Sequence, residues 1–269
     1  MKIPVYQIDA FTDKPFSGNP AAVCPLEEWL PDDLMQKIAN EMNLSETAFL
    51  VPKSGIHGEY DLRWFTPTVE VDLCGHATLA SGHVVLNHLN KDLERVTFHT
   101  RSGALGVGNR NGLLELDFPS NPPTLITESD EISAVSAAIR ATPIEVLHAN
   151  TTVAVFEKES DVAALRPDFS AVAQLQYPWL AATAPADEAE YDFVSRFFVP
   201  TAGVNEDPAT GSSHTILMPY WSKRLGNNQL VGRQISARGG TMYCELVGDR
   251  VKIAGHVVEI MTGELNFTL

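Results

Sequence analysis

The feature that most constrains the fold is a stretch of sequence that occurs twice, about half a chain length apart. The first copy is RWFTPTVEVDLCGHATLASGHVVL, residues 63–86, and the second is RFFVPTAGVNEDPATGSSHTILM, residues 196–218. Each copy begins Arg-aromatic-Phe-x-Pro-Thr and runs through a glycine-containing polar turn into a mostly apolar stretch. A repeat at half the chain length predicts two similar α/β lobes related by a pseudo-twofold axis.

Local periodicity predicts strands and helices in both halves. The segment PDDLMQKIANEMNL has Leu34, Ile38 and Met42 on one face and two aspartates in its first turn, which indicates a helix. EISAVSAAIRA is the helix predicted for the second half. Strands are predicted at VYQIDAF, YDLRWF, RVTFHT, LLELDF, TTVAVF and SRFFVP, and within TMYCELVGDRVKIAGHVVEI around a Gly-Asp turn.

A segment rich in turn formers, FPSNPPT at residues 118–124, is the predicted domain boundary. We therefore expect an N-terminal lobe over residues 1–118 and a C-terminal lobe over residues 124–255. The last strand, about 256–269, is a candidate to complete the N-terminal lobe.

The two polar turns lie where apolar, helix-like segments begin. In the second turn, Asp207 fits a helix N-cap with Pro208 after it, or the helix begins after Gly211 with Ser212 or Ser213 as its cap. In either case unpaired backbone N–H groups and the helix dipole favour an anion at the turn. If the lobes face each other, both turns converge on one cleft that could hold a carboxylate or a developing enolate. Ordinary helix capping is the alternative interpretation.

Charge and cysteine usage narrow the class of protein. The formal net charge is −15, which disfavours nucleic acid as a partner. The three cysteines lie far apart, with no CxxC pattern or zinc-ligand spacing. We find no signal peptide and no apolar run of membrane-spanning length, so we expect a cytoplasmic protein that does not bind membranes.

Four blocks of sequence resemble the phenazine-biosynthesis isomerase (PhzF-like) family, which has the diaminopimelate-epimerase-like fold. The blocks are DAFTDKPFSGNPAAV, NLSETAFL, DLCGHATLASGHVV and FVPTAGVNEDPATGSSHT, and they span most of the chain in order. The resemblance implies an α/β (α+β) fold of two lobes, each a curved mixed β-sheet around a central helix, with the active site between them. It also implies a cofactor-free isomerase and a homodimer.

The resemblance also implies site residues. Glu46 in NLSETAFL matches the catalytic acid/base, and His76 and Asp207 match polar residues placed with it as catalytic. The candidate substrate-binding residues are Asn19, Ser45, Gly75, Gly211 and Ser212. For each of them a structural role, such as a cap, a turn or a satisfied polar group, is the alternative.

Several other residues need an interpretation. Cys74 occupies the first of the two positions at which related epimerases carry opposed cysteine bases, but the second position here is Asp207-Pro208, which excludes a two-thiol racemase. His83 and His88 are five residues apart, a spacing that does not place them on the same face of an α-helix, and no carboxylate pair lies near them in the sequence. We therefore interpret them as structural. We expect Arg63 and Arg196 to brace the lobes; the role of His214, inside the helix mouth, stays undecided.

The resulting hypothesis is an isomerase that uses general acid/base catalysis on a small amino- or hydroxy-carboxylate. No nucleotide-binding fingerprint is present, and the hypothesis requires no cofactor and no metal. Two rivals remain open. One is an amino-acid epimerase on the same fold, with Cys74 as a base, and the other is a non-enzymatic protein that binds a small carboxylate.

Overall fold

A computed structural model describes residues 1–268 of the chain. The chain forms two compact units, Met1–Asp117 together with the segment from Ile253 onward, and Phe118–Lys252. The α-helices are α1 (Asp32–Met42), α2 (Gly75–Val84), α3 (Ser129–Ile139), α4 (Glu159–Ala164), α5 (Phe169–Val172) and α6 (His214–Leu225). None of the helices within residues 1–268 has the length and apolar character needed to cross a membrane.

The first unit is built on one mixed sheet with the strand order β18–β1–β2–β3–β4–β6–β7–β8. The β2–β3 and β4–β6 pairs are parallel and the others antiparallel, while the short β5 pairs antiparallel with β4. Its strands are β1 (Lys2–Ala10), β2 (Asn19–Pro25), β3 (Glu46–Pro52), β4 (Glu59–Phe65), β5 (Glu70–Val71), β6 (Arg95–Thr100), β7 (Gly103–Arg110), β8 (Leu113–Pro119) and β18 (Val257–Asn266).

Helix α2 is the central helix of this unit, buried along nearly its whole length. Small residues on α2 permit this close packing: a Cβ atom added at Gly82 would lie 2.4 Å from Cγ1 of Val107 on β7. Helix α1, by contrast, is amphipathic and buries Leu34, Met35 and Ile38 in a second apolar cluster. The small residues of α2 let it pack closely on nearly all sides, whereas the apolar stripe of α1 faces the protein and its polar side faces solvent.

The second unit repeats the strand-pairing order of the first. β10–β11 is antiparallel, β11–β12 parallel, and β12–β13 antiparallel; β13 then pairs antiparallel with β14 and parallel with β15, which pairs antiparallel with β16. The same sequence of pairings joins β1 to β7. The strands are β9 (Thr124–Leu125), β10 (Glu145–His148), β11 (Thr152–Val155), β12 (Leu180–Pro185), β13 (Phe193–Val199), β14 (Val204–Asp207), β15 (Gln229–Gln234) and β16 (Gly240–Val247). β17 (Arg250–Gly255) begins in the second unit and ends in the first.

Helix α6 is the counterpart of α2 in chain order and is also largely buried. Trp221 of α6 stacks on Phe193 with ring centroids 5.7 Å apart, and its indole N–H donates to Oγ1 of Thr183 at 2.9 Å. Helices α3, α4 and α5 supply residues to a separate apolar cluster with β11–β13. The predicted fold class, mixed sheets around central helices, is therefore confirmed.

The repeated arginines each brace strands inside their own unit. Arg63 on β4 donates from Nε and Nη2 to Glu70 on β5, both at 2.7 Å. Arg196 on β13 makes the same two-pronged contact with Glu206 on β14, at 2.7 and 2.8 Å. The sequence repeat therefore encodes a repeated strand–strand clamp.

Candidate active site

Three elements of the first unit bring polar side chains together at the amino end of α2. Asn19 is the first residue of β2 and Glu46 the first residue of β3. These strands are parallel neighbours, with Ala21 opposite Glu46, so both side chains lie at the same end of the sheet. Helix α2 begins at Gly75 and places His76 at this end.

A glycine turn delivers Asn19 to its position. Gly18 has φ +67, a left-handed conformation that costs side-chain-bearing residues energy. A Cβ atom at Gly18 would also lie 2.2 Å from the carbonyl oxygen of Ala10. The tight entry into β2 therefore requires glycine, and the following Asn19 is fully buried.

His76 is contacted on both ring nitrogens. Its Nε2 atom lies 3.0 Å from Oε2 of Glu46. Its Nδ1 atom lies 3.0 Å from Nδ2 of Asn19 and 3.5 Å from Sγ of Cys74. With the Asn19 amide donating to Nδ1, the neutral imidazole carries its proton on Nε2, facing Glu46. In the protonated ring, the N–H at Nδ1 donates a hydrogen bond either to the Asn19 side-chain oxygen, after rotation of the amide, or to the Cys74 sulfur.

Burial and neighbouring charges act in opposite directions on His76. Burial lowers the pKa of the imidazole, but Cys74 and Glu46 outweigh it, and the pKa of His76 is raised well above its ordinary value. Burial first, and the charge of Glu46 second, raise the pKa of the Cys74 thiol to about 11. The thiol therefore keeps its proton near neutral pH, and Glu46 is the group whose negative charge favours protonated His76.

The facing atoms of Glu46 and His76 have capacity for a ligand. Both Oε2 of Glu46 and Nε2 of His76 are buried, and despite their 3.0 Å separation neither makes an aligned hydrogen bond within residues 1–268. Buried polar atoms are nearly always hydrogen-bonded, and catalytic contacts often align only when substrate binds. A buried carboxylate and imidazole that face each other in this way can take up, hold and return a proton.

The amino end of α2 adds backbone donors to this group. Cys74 occupies the N-cap position without a side-chain cap, so the first N–H groups of the helix are not satisfied by a capping side chain. Gly75 is buried, and Ser45, which immediately precedes Glu46, is half-buried. Unpaired helical N–H groups attract anions.

The second polar turn belongs to the second unit and has its own hydrogen-bond network. Asp207 ends β14, and its carboxylate accepts a short hydrogen bond from Oγ1 of Thr210. Gln234 donates to the carbonyl oxygen of Asp207 at 2.6 Å and accepts from the backbone N–H of Thr210 at 2.8 Å. This network holds the turn in one conformation.

The structure decides between the two predicted starts of α6. The helix begins at His214, so the interpretation of Asp207 as its N-cap is wrong, because Asp207 is still paired in the sheet. Ser213 takes the N-cap position, but its hydroxyl donates to the carbonyl oxygen of Thr210 at 2.8 Å instead of capping. Gly211 is buried and Ser212 half-buried on the turn before it.

His214, left undecided by the sequence, is a buried neutral group. Its Nδ1 atom lies 2.9 Å from the carbonyl oxygen of Thr210, which fixes the proton on Nδ1. Burial lowers the pKa of His214 to about 4, against the smaller opposing effect of that hydrogen bond. The ring packs beside Phe193 with centroids 5.6 Å apart. These contacts indicate that His214 helps to pack the start of α6 against its surroundings.

The structure thus brings Asn19, Glu46 and His76 into contact, with Ser45 and Gly75 directly beside them in the chain. Asp207, Gly211 and Ser212 lie together on a turn of the second unit. Two parts of this arrangement were missed in the sequence. The contact of Cys74 with His76 was not predicted. The hydrogen bonds of Gln234 to the polar turn were not predicted either, because nothing in the sequence around Gln234 indicates them.

The interpretation of His83 and His88 as lying on different faces is wrong. The chain after α2 continues as a π-helical turn, Val85–Leu89, with an i→i+5 hydrogen bond from Asn90 to Val85. The wider turn brings the two imidazole rings to a centroid distance of 6.1 Å. Both rings contact the carboxylate of Glu259 on β18, which is far from them in the sequence.

Residues 8–263 match the model of the PhzC-PhzF family, described as phenazine biosynthesis-like protein. An uncharacterized isomerase of Pseudomonas aeruginosa is 47% identical over the full length of both chains. A crystal structure of a phenazine biosynthesis protein of the PhzF family from Enterococcus faecalis is 42% identical, with a TM-score of 0.92 over 99% of this chain and 100% of that one.

More distant similarity concerns the fold alone. A hydroxyproline epimerase from Agrobacterium vitis superposes with a TM-score of 0.61 at 10% identity, over 98% of this chain and 92% of that one. The epimerase-like fold expected from the sequence is therefore confirmed.

Proposed function

The chain belongs to the phenazine biosynthesis-like (PhzC-PhzF) family, and on that premise we propose that it is an isomerase that moves a proton between carbon atoms of a small amino- or hydroxy-carboxylate. The relatives named isomerases match it over its whole length, which supports this reaction class. The proposal assigns general acid/base catalysis to Glu46.

One observation carries the proposal: the buried 3.0 Å approach of Glu46 to His76, with no aligned hydrogen bond between them within residues 1–268. Glu46 also contributes to the raised pKa of His76, so the two groups are coupled. In an acid/base pair such as Glu46 and His76, hydrogen bonds are expected to align only when substrate binds.

In the proposed reaction, the Glu46 carboxylate takes a proton from an activated C–H and becomes a carboxylic acid. The electron pair of that bond is delocalised into the substrate, and the same carboxyl then returns the proton to another carbon on the same face. His76, oriented by Asn19, donates a hydrogen bond from Nε2 to the oxygen or nitrogen atom where negative charge develops. A positioned acid/base contributes roughly 10²–10⁴-fold to the rate.

The amino end of α2 is the proposed binding site for the substrate carboxylate. The backbone N–H groups beginning at Gly75 can donate to an anion, and Ser45 adjoins the acid/base. We also propose substrate-binding roles for Asp207, Gly211 and Ser212, supported by the stiff polar turn on which they lie. The family resemblance further supports a homodimer, which sedimentation velocity would test.

The test is hydrogen exchange in D₂O with a panel of small amino- and hydroxy-carboxylates, including a cyclohexadiene amino acid, followed by proton NMR. We expect C–H exchange or a double-bond shift with the wild type, and a loss of roughly 10²–10⁴-fold in Glu46→Gln. Glu259→Gln, which removes a half-exposed carboxylate in the same unit, is the matched control and should retain activity.

Two outcomes would replace the proposal. Exchange that survives in Glu46→Gln but disappears in Cys74→Ser, with loss of stereochemistry at one carbon and no double-bond shift, would assign an epimerase. Panel members that bind tightly and equally to wild type and Glu46→Gln, with no exchange in either, would assign a non-enzymatic carboxylate-binding protein.

A further inference from the structure

A second group of convergent side chains lies at the opposite end of α2 from His76. His83 is on the last turn of α2, His88 is on the π-helical turn that follows, and Glu259 is on β18. Nε2 of His88 lies 2.6 Å and Nε2 of His83 lies 3.5 Å from the same oxygen, Oε2 of Glu259. We call these three residues the His83–His88–Glu259 cluster.

The backbone geometry is what creates this cluster. On a continuous α-helix, residues five apart point about 140° away from each other. The π-helical turn, closed by the hydrogen bond from the N–H of Asn90 to the carbonyl of Val85 at 2.7 Å, winds the chain less tightly. Such π-turns are rare and frequently occur at functional sites. Here the turn places both imidazoles on one side, toward β18.

We propose that the His83–His88–Glu259 cluster binds a divalent transition-metal ion of the Zn²⁺ class. Two imidazole nitrogens and a carboxylate oxygen form a ligand set that Zn²⁺ accepts, with water completing the tetrahedron. The three ligand atoms all lie within 4.8 Å of one another. The side chains are 18%, 30% and 32% exposed, which leaves room for an ion to enter and keep a water ligand.

The distances suit zinc after a small adjustment. With metal–ligand bonds of about 2.0–2.2 Å, tetrahedral ligand atoms lie roughly 3.3 Å apart. The His83–Glu259 separation of 3.5 Å already matches this value, whereas the 2.6 Å His88–Glu259 contact must lengthen. Since the His88 side chain lies at the surface, its ring can move by the required fraction of an ångström.

Neighbouring side chains hold the ligands in place. Thr262 donates from Oγ1 to the second carboxylate oxygen of Glu259 at 2.7 Å, which leaves Oε2 for the metal. Asn87 donates from its amide nitrogen to the carbonyl oxygen of His83 at 3.0 Å and lies 3.2 Å from Nδ1 of that ring. Metal binding at Nε2 puts the ring proton on Nδ1, so the Asn87 amide would move away from the ring. The ring of Tyr6 packs against His88 with centroids 4.7 Å apart.

A bound metal would join two distant parts of the first unit. Strand β18 pairs with β1 at one end of the sheet, while His83 and His88 follow the central helix. A metal bridge between them would stabilise the folded state in proportion to free metal, because unfolding separates the ligands. The proposal is independent of the proposed isomerase, whose residues lie at the other end of α2.

The test measures Zn²⁺ binding to the EDTA-stripped and dialysed full chain by titration calorimetry, with thermal unfolding in parallel. We expect one Zn²⁺ per chain and an unfolding midpoint that rises with Zn²⁺ concentration. His88→Gln and Glu259→Gln should each weaken binding by at least about tenfold, since even outer-shell changes at metal sites cost that much. Melting in EDTA reports whether each variant still folds.

Two controls make the result specific. His99 forms a 2.6 Å contact with Glu59 and is 36% exposed, but it belongs to neither of the three-donor groups found within residues 1–268. His99→Gln should therefore leave zinc binding unchanged. Cys74→Ala removes a ligand from the other three-donor group within residues 1–268, Glu46, Cys74 and His76. Zinc binding that is absent in the wild type, that persists in His88→Gln and Glu259→Gln, or that is lost in Cys74→Ala instead would overturn the proposal.

Discussion

Nε2 of His76 lies 3.0 Å from Oε2 of Glu46, and both side chains are largely withdrawn from solvent. The carboxylate comes from the start of β3 and the imidazole from the start of α2. The contact brings a carboxylate and an imidazole within hydrogen-bond reach of each other. The geometry is compatible with proton transfer to and from a substrate without bulk water.

Asn19→Ala should impair both folding and function. The substitution removes the amide that contacts Nδ1 of His76 at 3.0 Å, in a fully buried place. We expect a loss of about 1–3 kcal/mol in unfolding free energy, measured by urea denaturation. We also expect kcat to fall roughly 10–100-fold through misplacement of the ring, with little change in KM.

The matched control for this prediction is Asn121→Ala. Asn121 also makes an amide contact, with Asn150 at 3.1 Å, but at an exposed position. It should change stability by less than about 0.5 kcal/mol. Equal stability losses in the two variants would contradict a special role for the buried Asn19.

Gly82→Ala should destabilise the protein although alanine is the better helix former. The added methyl group would lie 2.4 Å from Cγ1 of Val107, so α2 or β7 must move. Overpacking of this kind costs about 1–3 kcal/mol. Gly108→Ala is a suitable comparison, because its Cβ atom would lie at an ordinary 3.6 Å from the carbonyl oxygen of Glu94. A stabilised Gly82→Ala protein in thermal denaturation would refute the tight α2–β7 packing.

Arg196→Lys should cost about 1–2 kcal/mol of stability. Lysine cannot reproduce the two-pronged contact with Glu206, nor the hydrogen bond to the carbonyl of Leu165 at 3.0 Å. The arginine and glutamate side chains are only 12% and 22% exposed, so solvent screens the pair incompletely. Arg140 forms an exposed ion pair with Asp168 at 3.2 Å, so Arg140→Lys should change the free energy of unfolding by less than about 0.5 kcal/mol. Guanidinium denaturation of both variants distinguishes the clamp from a surface ion pair.

His214 should make the protein sensitive to acid. Burial lowers its pKa in the folded state from 6.5 to about 4, so the unfolded chain binds the proton first as the pH falls. The stability that neutral His214 contributes is therefore fully present above about pH 6.5 and is lost as the pH falls toward 4, by about 3 kcal/mol in all.

The variant His214→Asn retains a donor for the carbonyl of Thr210 but does not titrate. We expect its unfolding free energy to fall less steeply than that of the wild type between pH 6.5 and 4, as measured by urea denaturation at each pH. Parallel pH profiles for the two proteins would show that His214 does not carry this acid sensitivity.

Local sequence patterns predicted much of the secondary structure. The apolar spacing of Leu34 and Ile38 predicted α1, and the alternation in YDLRWF predicted β4. Asn111 and Gly112, with φ values of 54 and 87, form the turn between β7 and β8 that the Asn-Gly pair indicates. These features follow from backbone preferences and side-chain periodicity within a few neighbouring residues, so they can be predicted without the tertiary structure.

By itself, then, the sequence determined two similar α/β lobes, their main strands and helices, and the blocks that carry the candidate site. Tertiary structure decided which of those residues touch. The register of β2 against β3 brings Asn19 and Glu46 to the same end, and the packing of α2 adds His76 and Cys74. Likewise, a π-helical turn and the return of β18 join His83, His88 and Glu259, because contacts between distant segments depend on sheet register and helix packing that no local pattern encodes.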